Sequence, residues 1–111
     1  MQKEYRLPVV MRVMDRLGFA ESTIGTQYIR EAVDIASQHY RAMMCKDIYP
    51  EIAKRYGVTP TSAERAIRTA IECAQRSPSW DYQWKAIGGW GSPTNSEVIM
   101  RLLREGRYNE D

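Results

Sequence analysis

Between residues 62 and 76, Ser62, Arg65, Thr69 and Arg76 recur at helical spacing, with Glu64 and Arg68 on their flank. Side chains three, four or seven apart share one side of a helix, so this row lines up hydrogen-bonding groups along a cylinder. Such a row can address base edges: arginine forks onto guanine, glutamate accepts from cytosine, and serine or threonine serves several bases. A solvated surface helix gives the same pattern. Glu64 and Arg68 stand at i and i+4 in the favourable order, a pair that adds only ~0.2 to 0.5 kcal/mol to a helix and calls for no ligand. The residues in front of the row weigh between the two.

Behind the polar row, Ala63, Ala66, Ile67, Ala70, Ile71 and Ala74 form a narrow apolar stripe. Ahead of it, Ile48, Tyr49, Ile52, Ala53 and Tyr56 fall three or four apart and predict a short helix with one core-facing side. Ala53 is small enough to let a second helix cross closely, Gly57 can take positive φ at the turn, and Val58 is expected to plug the angle. Thr59, Pro60 and Thr61 open the second helix: a hydroxyl caps free amides, proline suits the first helical position, and Thr61 with Glu64 forms a capping box. The stretch from Asp47 to Arg76 therefore reads as a helix-turn-helix reader of double-stranded DNA, with helix 60–76 in the major groove. Ser62, Glu64, Arg65, Arg68 and Thr69 are its expected base-reading residues. Lys54, Arg55 and Thr61 are expected on the DNA backbone.

The rest of the chain supplies the frame. Pro8 begins a helix with Val9, Val10, Val13, Met14 and Leu17 on one face, ended by Gly18, and Phe19 to Gly25 is a connection. From Thr26, the pattern of Ile29, Ala32, Val33, Ala36, Tyr40, Met43 and Met44 predicts the longest helix and central strut. Ser77, Pro78 and Ser79 break the reading helix; Ser79 is expected to cap a short helix bearing Trp80, Trp84 and Ile87. Trp80 and Trp84 read as core, and Trp90, in the G-G-W-G loop, as a contact residue. A last helix starts at P-T-N-S-E, where Thr94 caps and Glu97 reaches back. It buries Val98, Ile99, Leu102 and Leu103 and runs to Gly106. Its first turn, at Thr94, Asn95 and Ser96, can seat a DNA phosphate, although capping alone explains the same residues and Glu97 partly repels an anion. The sum is an all-α, compact six-helix domain covering residues 1–111.

Composition excludes more than it proposes. A chain of 111 residues, 43% hydrophobic and 27% charged, makes one soluble globular domain. It carries no apolar run of about 18 residues and no signal peptide, so no membrane partner is expected and the default location is cytoplasmic. A net charge of +2 is weak, so nucleic-acid affinity must come from local placement of charge. Cys45 and Cys73, without C-x-x-C spacing, and a single histidine, His39, leave no zinc set; the thiols read as buried and reduced. Glu64, Glu72 and His39 offer acid-base groups, but nothing joins a nucleophile, a base and an oxyanion donor, and G-G-W-G lacks the strand and helix of a nucleotide loop. No catalysis, cofactor, metal or small-molecule substrate is expected.

I-R-E-A-V at 29–33, Y-P-E-I-A-K at 49–54, E-R-A-I-R at 64–68 with A-I-E at 70–72, and P-T-N-S-E at 93–97 occur in this order. The chain thereby resembles, over about residues 8 to 105, the C-terminal effector domain family of the stage-zero sporulation master regulator of endospore-forming bacteria. The resemblance implies a six-helix domain whose fourth helix enters the major groove and reads a short box containing G and C. It also implies head-to-tail pairs of the domain on tandem DNA sites, activation or repression of transcription, and contact with the principal sigma subunit of RNA polymerase. By position, Glu64, Arg65 and Arg68 match the family's groove-facing residues. Ser62 stands where the family pattern has arginine, and Thr69 where it often has histidine, so a shifted operator is expected. The loop before P-T-N-S-E is shorter than the family's. The master regulator's phosphorylated receiver domain has no counterpart in this sequence, which reads as a separate effector domain. The competing reading is a protein-interaction module that modulates a full-length regulator or RNA polymerase without specific DNA binding.

Overall fold

Pro8, followed by valines and methionines at helical spacing, produces helix α1 (Leu7–Leu17), with Val9, Val10, Val13, Met14 and Leu17 buried. The computed structural model describes residues 4–38 and 44–108, and these contain six α-helices and no strand. After α1 come α2 (Ile24–Gln38), a π-helical turn (Met44–Ile48), α3 (Tyr49–Tyr56), α4 (Pro60–Gln75), α5 (Trp80–Ala86) and α6 (Asn95–Tyr108). The expected all-α, six-helix class is the one adopted. Its radius of gyration, 13.0 Å, is that of one compact core of this length, about 13 Å.

α2 is the strut, packing on α3, α4 and α6, while α1 lies against α5 and α6. Its Ile29, Val33 and Ile35 are almost wholly buried together with Ile52, Ile67, Ile99 and Leu102 from the surrounding helices. Each such side chain contributes about 1.5–3 kcal/mol relative to remaining in water. The expected continuation of this helix through Tyr40 and Met43, like His39, falls outside the described residues.

α2 begins at Ile24, two residues ahead of the expected start, and Gly25 belongs to its first turn. A Cβ on Gly25 would stand 2.1 Å from the Ala66 carbonyl oxygen. The glycine is there because the backbones of α2 and α4 touch, and only hydrogen leaves room. Phe19, in the connection, is a core residue, 5% exposed, set edge-on to Trp80 at 6.2 Å.

The other helix ends depart from expectation for equally local reasons. Ser79 occupies the position before α5 without capping it; its hydroxyl donates to the Arg16 carbonyl at 2.7 Å and ties α5 to α1. Trp80 and Trp84 stack at 5.3 Å in the core, as their spacing predicts. Gly106 does not end α6, which runs on to Tyr108; it lies buried where α6 meets α1, facing Val10. Both cysteines are exposed and unpaired rather than buried. Cys73 falls on the outward side of α4, between Thr69 and Arg76.

Candidate nucleic-acid interface

The turn between α3 and α4 is built from three residues. Gly57 adopts φ +66 and ends α3, and the amide of Val58 reaches back to the Ala53 carbonyl at 3.0 Å. With the chain turned into the left-handed region, Val58 is carried outward and is 36% exposed. It does not plug the angle; Ile52 and Ala53 of α3 and Ala63 and Ile67 of α4 are among the residues buried on the two helices. Thr59 then caps α4. Its Oγ1 accepts from the Ser62 amide at 3.0 Å, with Pro60 in the first turn. The Thr61–Glu64 capping box is thus replaced by a cap two residues earlier, and Thr61 is an exposed residue of the first turn.

α4 is divided as its sequence predicts. Ala63, Ile67, Ala70, Ile71 and Ala74 are buried, Ala66 is half-buried, and Thr61, Ser62, Arg65, Thr69, Glu72 and Arg76 are exposed on the other side. The guanidinium of Arg76 donates to the Cys73 sulfur at 3.6 Å. Ser62 is partly committed, since its hydroxyl accepts from Thr59 at 2.9 Å.

Glu64 and Arg68 stand apart from that row. Glu64 is half-buried on the flank and pairs with Arg68 at 3.3 Å. Its carbonyl accepts from Asn95 Nδ2 at 3.3 Å, and the same amide donates to the Tyr49 hydroxyl at 2.9 Å. Burial raises the Tyr49 pKa, with the Asn95 hydrogen bond opposing it. Asn95 is therefore a bracket joining α3, α4 and α6. The expected capping box at Thr94 is present: Thr94 N donates to Glu97 Oε1 at 3.3 Å and Glu97 N to Thr94 Oγ1 at 3.2 Å. Glu97 also accepts from the Thr94 hydroxyl, so this helix start already holds a carboxylate. Ser96 lies half-buried in the cleft between this start and α4.

On α3, Lys54 is exposed, whereas Arg55 is engaged. Its guanidinium meets Glu31 at 2.7 Å, Glu51 at 3.1 Å and Asp34 at 3.7 Å. The hydrogen bond to Glu31 is the chief reason its pKa is raised. Arg55 fastens α3 to α2, and a phosphate contact would have to displace three carboxylates.

A groove beside the outward row was not foreseen from the sequence. Thr23, Ile24 and Gly25 border a groove shared with Ser62, Arg65 and Thr69, and Ile24 is 47% exposed. The available signal was Gly25 itself, a glycine in register with the apolar face of the following helix. Trp90, expected as a contact, is 85% exposed. It lies two residues before Ser92, whose hydroxyl accepts from Gln75 at the end of α4.

A short helix, a left-handed glycine turn and a capped second helix with one buried and one hydrogen-bonding face define a helix-turn-helix domain. No described helix is long and apolar enough to cross a membrane, and no three acidic, histidine or cysteine side chains among the described residues could hold a metal. Residues 10–105 match the family model described as sporulation initiation factor Spo0A C terminal, and the chain belongs to that family. It is a DNA-binding domain of the kind that regulates transcription, and its class is regulatory rather than catalytic.

Proposed function

We propose that the domain is a sequence-specific reader of duplex DNA that lays the outward side of α4 in the major groove. The observation that carries this reading is the exposure of Arg65, Thr69 and Arg76 along one side of a helix whose other side is locked into the core. Arg65 is the principal base reader, because an unburied guanidinium can fork onto guanine O6 and N7. Thr69 reads beside it, and Ser62 contributes only as far as its bond to Thr59 allows. Glu64 and Arg68 take part as a pair, each restricting the other.

Lys54 and Thr61 meet the phosphates on the side of the turn. Arg55, Thr94 and Asn95 support the interface from behind, with Ser96 at the edge of the same cleft. Family membership supports, in addition, head-to-tail pairing of the domain on tandem sites and contact with the sigma subunit of RNA polymerase. Competition binding of Arg65→Ala on an enriched site and on random duplex tests the reading. A loss of ~1 to 3 kcal/mol confined to the enriched site is expected; an equal loss on both would refute base reading by Arg65.

A further inference from the structure

The groove beside the outward row of α4 has a wall that the polar readers leave unexplained. Ile24, the first residue of α2, is 47% exposed. Of the exposed large apolar side chains among the described residues, it is the one that lines this groove with Arg65 and Thr69. An isoleucine left in water forgoes the stabilisation that burial would bring, and nothing in the chain covers its outer half.

The fold fixes where Ile24 stands. The amides of Thr26 and Gln27 donate to the Thr23 carbonyl at 3.0 and 3.4 Å and close the first turn of α2. A Cβ on Gly25, the next residue, would stand 2.1 Å from the Ala66 carbonyl oxygen and 2.8 Å from the Ala70 Cβ. Ile24 and Arg65 are the chain neighbours of that contact. The backbones that carry the isoleucine and the arginine therefore hold a set spacing, as a recognition site requires.

The chemistry of the groove selects its occupant. Ile24 has no donor for a phosphate oxygen, and none of the described residues lining the groove is a carboxylate that would repel DNA. Thr69 adds a methyl beside its hydroxyl. In the major groove one base presents an apolar group, the C5-methyl of thymine, and apolar side chains match it. We propose that Ile24 is a specificity-determining residue, packing on the methyl of a thymine that flanks the guanine read by Arg65. The inference rests on the reading in which α4 lies in the major groove, and adds to it a residue from outside the helix-turn-helix.

The test uses the full chain. Sites are selected from random duplex at physiological salt by the parent and by Ile24→Ala. Each thymine of the parent's box is then replaced in turn by deoxyuridine, which removes the C5-methyl and keeps the pairing edge. At one thymine flanking the guanine, the replacement is expected to weaken the parent roughly fourfold, the contribution of one buried methyl. Ile24→Ala should bind the thymine box at least roughly fourfold more weakly than the parent and be indifferent to that replacement. It should keep the parent's guanine preference and salt slope. The deoxyuridine arm changes no protein atom, so it remains decisive if Ile24→Ala folds poorly. Three results would overturn the inference and leave base reading by Arg65 standing: a box in which no thymine responds to loss of its methyl, a response equal in parent and Ile24→Ala, or a loss by Ile24→Ala that is the same on selected and random duplex. Enrichment of no box by the parent would remove both.

Discussion

At the scale of single residues, Lys54 and Arg55 are neighbours with different consequences. Lys54→Ala is expected to weaken binding alike on all sequences and to lower the salt slope by about one, as the loss of one phosphate contact does. Arg55→Ala should leave that slope unchanged and instead lower stability by roughly 1 kcal/mol, because its partners are partly exposed carboxylates and such pairs contribute little each. Binding isotherms at several salt concentrations, with denaturant melts of both variants, separate the two roles. Tyr5 supplies a second prediction. Burial, then the Asp34 carboxylate beside its hydroxyl, pushes its pKa up to about 12. The folded state therefore favours the neutral phenol. The stabilisation is complete below the ordinary tyrosine value near 10 and is lost as pH rises from there towards about 12. Stability measured across that alkaline window should fall in the parent and fall less steeply in Tyr5→Phe; identical slopes would remove Tyr5 from the account.

Helices and turns were legible wherever a period or a cap was written in adjacent residues. The valines of α1, the alanine stripe of α4, the tryptophan pair of α5 and the Thr94–Glu97 box each follow from neighbours within a turn or two. What escaped was long-range. Gly25 and Gly106 read locally as a loop and a helix stop; in the structure they are helical positions where another element comes too close for a side chain. Nothing beside Gly25 in the sequence announces Ala66. The same holds for Arg55 with Glu31 and for Asn95 with Tyr49, partners 24 and 46 positions apart. Gly25→Ala tests the element-scale claim. With a methyl 2.1 Å from a backbone oxygen, α2 and α4 must separate. A cost of about 1–3 kcal/mol is expected from overpacking, and it should appear in thermal unfolding. A variant as stable as the parent would show that the two backbones do not touch.

For the molecule as a whole, a net charge of +2 offers little long-range attraction to a polyanion. On the proposed reading, affinity then rests on where a few cations and hydroxyls are held: Arg65, Thr69 and Arg76 on the exposed side of α4 and Lys54 on α3. The outward row of the candidate interface could be read from the sequence, since it follows from its period; the bond that engages Ser62 could not. Ser62 looked free and is tied to Thr59, whereas the Glu64–Arg68 pair on the flank is the one their i and i+4 spacing predicts. On the exposed side Ser62 is tied to Thr59 and Glu72 adds a carboxylate beside Arg65, Thr69 and Arg76, so the proposed reading expects a short operator. Selection of binding sites from random duplex at physiological salt, run in parallel for the parent and Arg65→Ala, measures this most directly. The account predicts that the parent enriches a short box and that the variant loses preference at a guanine within it while keeping the rest. Enrichment of no box by the parent, or an unchanged box in the variant, would contradict it.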